Sequence, residues 1–436
     1  MKTGKIKYMK SPLTHPAMKT RIIQTIALGM FAAMLSIAAG FAQDPDAGFH
    51  TLSGVVKDAR TNRPIAFASV FIPGTSIGTV ANLDGAFTLK VSKDLNAEFF
   101  SVSHLGYRSS SFEITPNIGQ HRDYKLESYS VLLQEVVIQP SDARSLVEKA
   151  LDKVYENYPA KPVKLTGFYR ETIRQRRDYV SISEAVVDVY QVPYNSPSQA
   201  DRVRIVQGRK SGDVKKSDTL MVKLQGGPHV SMLLDIVKNP DVLLSRETLK
   251  FYDYELLDMV RIENEANYVI GFTPRASLSF PLYHGKLYIS VDHMAITMAE
   301  FSLDLSDREK AAQNFIMKRP ARLRFTPTNT YYLVTYKQID GKYHINYVRS
   351  ELEFFADWRR RIFRTGYSIM AEMAITDRSV ENVVRPAVRE TFRPNTILAD
   401  QVPVYFDQEF WGAYNVIEPD ESIESAIQKL NRRFEN

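Results

Sequence analysis

The stretch Gly78-Thr79-Val80-Ala81-Asn82-Leu83-Asp84-Gly85-Ala86-Phe87-Thr88-Leu89 decides the fold of the N-terminal part of this chain. Short β-branched and aromatic runs stand on both sides of Asn82-Leu83-Asp84-Gly85, a group of residues that favours chain reversal. The same pattern occurs upstream, in Ser53-Gly54-Val55-Val56-Lys57-Asp58 and in Arg63-Pro64-Ile65-Ala66-Phe67-Ala68-Ser69-Val70. Short strands closed by tight turns predict a two-layer β-sandwich.

The spaced motifs of this region resemble those of a known family. His104-Leu105-Gly106-Tyr107 and Leu133-Gln134-Glu135-Val136-Val137-Ile138 follow the opening stretch in order. Together they resemble the carboxypeptidase-like regulatory domain, a prealbumin-like or starch-binding-like sandwich found on many cell-envelope proteins. The resemblance covers residues 49–139 and implies a seven-stranded scaffold without chemistry of its own. We expect its turn positions to be structural, namely Gly54, Asp84, Gly85 and Gly106.

The first 42 residues predict a secretory signal peptide. Six basic residues and no acid precede an apolar run from Ile22 to Phe41, and cleavage is expected after Ala42. Met18 is an alternative start, and an uncleaved anchor is an alternative to cleavage because the run is nearly long enough to span a bilayer. The mature protein is therefore expected outside the cytoplasm, in the periplasm or at the outer membrane of a Gram-negative cell.

The charge and the absence of cysteine exclude several classes of partner and site. The net charge of +6 comes from the signal peptide, since 56 basic residues less those six equal the 50 acidic ones. Nucleic acid is therefore not an expected partner. A chain with no cysteine cannot form disulfides, cysteine-ligated metal sites or an acylated-cysteine anchor.

The hydrophobic period changes after residue 140 and predicts a larger α+β domain over residues 141–400. Helical spacing predicts a helix from Ser141 to Tyr158 and two short helices over Val230–Val237 and Val242–Leu249. Alternation predicts a hairpin of 165–173 with 179–190. Further strands are expected over 251–256, 267–272, 285–292, 295–303, 331–338, 342–355 and 364–376, with Asp340-Gly341 as a hairpin turn.

This order of a helix followed by a long antiparallel meander resembles the open half-barrel of the lipoprotein-carrier family over Tyr252–Leu305. The fold class is thus predicted to be mainly β, a sandwich plus an antiparallel open half-barrel covered by helices. Leu287, Ile289 and Val291 alternate with Lys286, Tyr288 and Ser290, which predicts a sheet with one buried face. Such a concave apolar face would hold a lipid or a protein segment.

Two segments allow alternative interpretations. Residues 193–217 are predicted to be a basic, solvated loop, with binding of lipid headgroups or an acidic glycan as the alternative. Residues 401–436 contain the aromatic cluster Phe406–Asn415 and a helix from Ile423 to about Phe434. We expect the cluster to be a latch that packs this helix on the sheet, and a sugar-stacking platform is the alternative.

The sequence provides no motif for catalysis, metal or phosphate binding. The eight histidines form no HExxH or HxH pair, and GxSxG, GxxxxGK[ST] and GxGxxG do not occur. Glu263 with Glu265 and Glu351 with Glu353 would each share a strand face, as a glycosidase pair could. The flanking Arg261 and Arg349 favour salt-bridged solvent faces instead. His293 is predicted to be a turn residue.

We therefore expect a non-enzyme with no cofactor: a cell-envelope binding or assembly protein for a lipid, a glycan or a protein partner. The alternative is an ancillary component of TonB-dependent outer-membrane uptake, because regulatory-like domains commonly precede the plug of such transporters. Residues 133–138 fit either that role or the last strand of the sandwich. A hydrolase with an unrecognised site is the second alternative.

Overall fold

A computed structural model describes residues 48–115, 122–129, 143–196, 199–211, 224–275, 278–315, 323–358, 364–403 and 410–432. The expected signal peptide and residues 133–138 lie outside the described residues. Within these ranges, every helix is too short or too polar to cross a bilayer.

The first part of the fold is a sandwich of seven short strands. Strands β1, β4 and β7 form one sheet in the order β4-β1-β7, and the other sheet has the order β3-β2-β5-β6. Leu52 and Phe87 of the first sheet and Val70 and Phe100 of the second are fully buried between them. The strands are β1 (Phe49–Asp58), β2 (Ser69–Phe71), β3 (Gly78–Val80), β4 (Ala86–Ser92), β5 (Phe99–Ser103), β6 (Ser110–Glu113) and β7 (Arg122–Leu126).

The second part is an open ten-stranded antiparallel sheet, which confirms the predicted fold class. Its order is β10-β9-β8-β17-β16-β15-β14-β13-β12-β11. Asp340 and Gly341 form the tight turn between β15 and β16, with φ of 52° and 73°. The strands are β8 (Val163–Gln175), β9 (Asp178–Gln191), β10 (Arg202–Ser211), β11 (Tyr252–Ile262), β12 (Glu265–Pro274), β13 (Tyr283–Ser290), β14 (Ile296–Leu303), β15 (Leu323–Ile339), β16 (Lys342–Trp358) and β17 (Thr365–Ser379).

Short helices cover one face of this large sheet. Val147 and Ala150, on the first of these helices, pack with Ile270 and Leu287 of the sheet in one buried cluster. The helices are α1 (Ala143–Asp152), α2 (Val154–Asn157), α3 (Pro228–Leu233), α4 (Arg308–Ala312) and α5 (Glu421–Arg432), with 3₁₀ turns at Pro240–Val242 and Leu249–Phe251. Helix α5 differs from α1 because its Ile423 packs with Ile182 and Met370 on the opposite face of the sheet. The predicted helix over Ser141–Tyr158 is thus two helices, and the two predicted over Val230–Leu249 reduce to α3 and the two 3₁₀ turns.

The prediction of a basic loop over residues 193–217 is wrong for Arg202–Ser211, which forms edge strand β10. This segment pairs with β9, and Val203 is fully buried in the cluster between the large sheet and the helices. Arg204 lies at the exposed surface and pairs with Asp188. The alternation of apolar and polar residues in β10 is short, and the basic residues among them hid the strand in the sequence.

The prediction of a sheet with one buried face is also wrong. Leu287 and Ile289 face the helices as expected, but Tyr288 and Ser290 on the opposite face are buried as well. Tyr288 belongs to a second cluster that contains Val80 of the sandwich and Trp411 of residues 410–432, here called the C-terminal segment. The sandwich and the C-terminal segment therefore cover the second face of the sheet.

Candidate functional site

The C-terminal segment joins the sandwich to the large sheet. On the sandwich side, Asn415 Oδ1 accepts from the Lys90 N–H at 2.7 Å, and Thr79 Oγ1 donates to the Val416 carbonyl at 2.9 Å. On the sheet side, the Trp411 ring lies edge-on to Phe168 at 5.4 Å between centroids. This part of the predicted aromatic cluster thus packs at the junction of the two parts, and residues 406–409 of the cluster lie outside the described residues.

A buried ion network on the same sheet face holds this segment. The Arg170 guanidinium lies 2.8 Å from Glu184 and 3.1 Å from Glu372, and it donates to the Ile417 carbonyl at 2.7 Å. Arg349 lies 3.2 Å from Glu372. Because each charge has an opposite partner, burial of this network is tolerated and the segment is fixed to the sheet.

The prediction of salt-bridged solvent faces holds only in part for the two carboxylate pairs. Arg349 Nε donates to Glu351 Oε1 at 2.7 Å, so the predicted salt bridge is present there, but Arg349 is buried rather than on a solvent face. The solvent-face interpretation of Glu263 and Glu265 is wrong, because Glu263 has a φ of 49° and lies in the β11–β12 turn rather than on a strand. Arg261 donates to the backbone carbonyl of Asn264 instead of to either carboxylate.

The Glu263 side chain turns towards the sandwich. Its carboxylate accepts a 3.1 Å hydrogen bond from Ser103 Oγ at the end of β5. Burial raises the pKa of this carboxyl, and nearby Lys337 acts in the opposite direction. A left-handed backbone is uncommon for glutamate and costs on the order of 1 kcal/mol, so the surrounding structure must hold this turn in place.

Glu265 holds a half-exposed histidine in one orientation. Tyr343 Oη donates to the Glu265 carboxylate at 2.8 Å, Ser290 Oγ also donates to it, and His293 Nδ1 lies 2.7 Å from Oε1. The backbone N–H of His293 in turn donates to Ser290 Oγ at 3.0 Å. His293 does lie in the β13–β14 turn, as predicted, but its ring belongs to a polar network that the sequence did not indicate.

Two cavities meet at the Glu263 turn. The outer room, of about 360 Å³, is polar and is lined by residues that include Asn264, Glu265, Asp292, His293 and Tyr343. The inner room, of about 160 Å³, lies between the sandwich and the sheet and is lined by residues that include Phe67, Leu105, Met298, Glu300, Leu333 and Thr335. Ile262, Glu263, Thr297 and Tyr336 line both rooms. The two rooms therefore adjoin through a shared wall.

Further titratable groups lie around these rooms. Burial raises the pKa of Glu300 in the wall of the inner room. Outside the lining, burial lowers the pKa of Lys337 to about 7, against the opposing effect of Glu263. The Lys337 ammonium lies 3.0 Å from the centroid of the Phe71 ring on the sandwich. The junction thus combines carboxyl groups with a cation that is only partly charged near neutral pH.

The expected turn residues of the sandwich lie away from the lining of the two rooms. Gly85 has a φ of 73° in the β3–β4 turn, and a Cβ there would lie 2.6 Å from the Val56 carbonyl oxygen. Gly106 has a φ of 79°. The prediction of a turn at Gly54 is wrong, because Gly54 lies within strand β1, where an added Cβ would clash with the Tyr124 ring. Asp84 contacts the C-terminal helix, which the sequence did not indicate.

Within the described part of the chain, no group of three His, Asp or Glu side chains is arranged to hold a metal ion. The absence of a cofactor stays a prediction.

Comparison with known proteins identifies one domain. Residues 52–138 match the family model of the CarboxypepD_reg-like domain, so this part of the chain carries a domain of that family. The TonB-dependent receptor SusC of Bacteroides thetaiotaomicron is 30% identical over 111 residues, which are 25% of this chain and 10% of the receptor. The chain thus matches a tenth of that relative's length.

Several solved structures show remote similarity to this chain. MucB in complex with MucA(peri) is 12% identical, with coverage of 53% of this chain and 94% of that one and a TM-score of 0.18. A putative outer membrane lipoprotein-sorting protein domain from Vibrio parahaemolyticus is 11% identical, with coverage of 55% and 95% and a TM-score of 0.23. A DUF1329 family protein from Desulfovibrio piger is 12% identical, with coverage of 53% and 91% and a TM-score of 0.21.

Proposed function

We propose that this chain is a non-catalytic binding protein of the cell envelope whose ligand enters the two rooms at the Glu263 turn. One observation carries the proposal: a polar outer room and a partly apolar inner room adjoin at a strained glutamate between two packed domains. Ligand sites favour such domain junctions, and typical sites measure roughly 300–1,000 Å³. Strained residues also cluster at functional sites.

The hydrogen bonds around His293 favour binding over catalysis. Ser290 is the serine of this network, but its Oγ donates its proton to Glu265 and accepts a hydrogen bond from the backbone N–H of His293. A serine nucleophile would instead donate its proton to the imidazole. The network is therefore suited to fixing the His293 ring towards a ligand.

The match of residues 52–138 and the similarity to SusC are compatible with an envelope protein. The SusC similarity also supports a second candidate function, an ancillary role in TonB-dependent uptake. The two functions differ in what they require of a partner. Co-purification with TonB, lost when residues 49–139 are removed, would favour the second candidate, whereas a retained small ligand would favour the first.

Native mass spectrometry of protein purified from the envelope tests the binding function. The wild-type chain should carry a bound mass that is released on denaturation. Thr335→Phe, which places a ring in the inner room, should lose that mass. Thr326→Phe makes the same change on the same strand outside both rooms, so it should keep the ligand. A wild-type chain without ligand, or equal loss in both variants, would contradict a site at the junction.

Hydrolysis assays on the same three proteins test the hydrolase alternative. Wild-type protein is incubated with peptide and glycan panels, and Thr335→Phe and Thr326→Phe are incubated in parallel. The proposal expects background rates in all three. Hydrolysis by the wild type that Thr335→Phe abolishes would support the hydrolase alternative instead.

A further inference from the structure

We propose that the ligand is a small organic amine, whose ammonium group pairs with Glu263 and whose apolar part, about the size of one ring, fills the inner room. This inference rests on the proposed binding site and adds its chemical class. It depends on the charge of the walls, the size of the inner room and the position of Glu263 between the rooms.

The charges of the walls favour a cation. Among the described residues that line the two rooms, four are carboxylic acids and none is lysine or arginine: Glu263, Glu265, Asp292 and Glu300. Lys337 and Arg378 act on Glu263 from outside the lining. An ammonium group beside Glu263 would form a charge-assisted hydrogen bond, which is roughly twice as strong as a neutral one.

The same walls disfavour anions. A carboxylate or phosphate in the inner room would lie near Glu263 and Glu300, and like charges that are close together and partly desolvated repel strongly. Free fatty acids and anionic headgroups are therefore poor candidates for this site.

The inner room limits the apolar part of the ligand. Its volume of about 160 Å³ is close to that of a protein cavity of ~150 Å³ that takes up benzene. Phe67, Leu105, Met298 and Leu333 supply apolar wall. A single ring or a short branched chain fits this space, and a whole acyl chain does not.

Isothermal titration with three probes of matched shape tests the class of ligand: benzylamine, benzyl alcohol and benzoate. The titrations use protein from which any retained ligand has been removed. We expect benzylamine to bind at least about tenfold more tightly than benzyl alcohol, and benzoate more weakly than either. Glu263→Gln should weaken benzylamine about tenfold and leave benzyl alcohol within about twofold.

Two further variants keep the test decisive. Asp292→Asn changes an exposed carboxylate of the outer room and should weaken benzylamine by a smaller factor, even if Glu263→Gln fails to fold. Glu98→Gln changes an exposed sandwich carboxylate outside both rooms and should have no effect.

Three outcomes would overturn the inference. The first is binding of benzyl alcohol or benzoate that is tighter than binding of benzylamine. The second is equal benzylamine affinity in the wild type and in folded Glu263→Gln. The third is no binding of benzylamine at all. Tighter binding of either other probe, lost in Thr335→Phe, would leave the proposed site intact and change only its ligand class. If no probe binds, the amine class is rejected, and the proposed function is decided by the retained mass in native mass spectrometry.

Discussion

The side chain of Asp84 accepts a 2.8 Å hydrogen bond from the backbone N–H of Glu421, the first residue of the C-terminal helix. Two residues earlier in the same turn, Asn82 Nδ2 donates to the Pro419 carbonyl at 3.1 Å. The turn that closes β3 onto β4 therefore also docks the start of α5, because a carboxylate stabilises the unpaired N–H groups of a helix N-terminus. The C-terminal segment packs on the sheet between Trp411 and Ile417, so this contact helps to hold the sandwich over the inner room.

We predict that Asp84→Ala lowers the free energy of unfolding by about 1 kcal/mol, because an exposed capping carboxylate is lost. Urea unfolding followed by circular dichroism measures the change. Asp94→Ala, at another exposed position of the sandwich, is the control with a smaller effect. Equal effects of the two substitutions would show that the Asp84–Glu421 contact adds no stability.

Gly85 and Gly106 form a matched pair of left-handed glycines. The methyl group of Gly106→Ala would have no atom within 4 Å, so we expect the free energy of unfolding to fall by about 1 kcal/mol from backbone strain alone. Gly85→Ala adds a contact of 2.6 Å to the Val56 carbonyl oxygen, so it should cost several kcal/mol. Thermal unfolding of both variants measures the difference. A Gly85→Ala variant as stable as Gly106→Ala would contradict the close approach at Gly85.

The buried Glu171 predicts a specific pH dependence of stability. Burial raises the pKa of this carboxyl to about 8, against an ordinary value near 4.5, although Tyr169 donates to it at 2.9 Å. Because the folded-state pKa exceeds the unfolded-state value, the folded protein holds this proton more tightly. Its contribution to stability is complete below pH 4.5 and is lost as the pH rises towards 8.

We therefore expect Glu171→Gln to remove this decline and to be more stable than the wild type at pH 8, by on the order of a few kcal/mol. Urea unfolding from pH 5 to pH 9 measures it. The exposed Glu247→Gln serves as control and should follow the wild-type curve. A Glu171→Gln curve parallel to the wild type would place the Glu171 pKa near its ordinary value.

The buried ion network should be far more sensitive to substitution than a surface pair. Arg170→Met leaves Glu184 and Glu372 buried with fewer partners and should cost about 3–5 kcal/mol. Arg246→Met removes the partner of Asp152 in an exposed pair and should cost at most about 1 kcal/mol. Chemical denaturation of both variants gives the comparison, and similar losses would contradict the importance of burial.

The parts of the fold that depend on local pattern could be predicted from the sequence. The β15–β16 hairpin is an example, because Asp340-Gly341 and the alternation beside it are contiguous signals. Strand β10 was missed because basic residues outnumber its buried apolar positions. The second buried face of the sheet was missed because its cover comes from a sandwich at the other end of the chain.

The candidate site could not be predicted for the same reason. Glu263 meets Ser103, which is 160 residues away, and Glu265 meets Tyr343 at a separation of 78 residues. No local pattern encodes such contacts. One signal was present: Glu263-Asn264 forms a two-residue hairpin turn without glycine, where both residues need a positive φ. A glutamate at that position is unfavourable for the turn itself, so it points to this turn as a place to look for a site.

The most direct test of a ligand site at the Glu263 turn is a crystal structure of the mature chain purified from the envelope without refolding. We predict non-protein density that spans the outer and inner rooms, with one polar atom within hydrogen-bond distance of the Glu263 carboxylate. Density for a bound molecule elsewhere, such as between the helices and the opposite face of the sheet, with only water in the two rooms, would contradict the account.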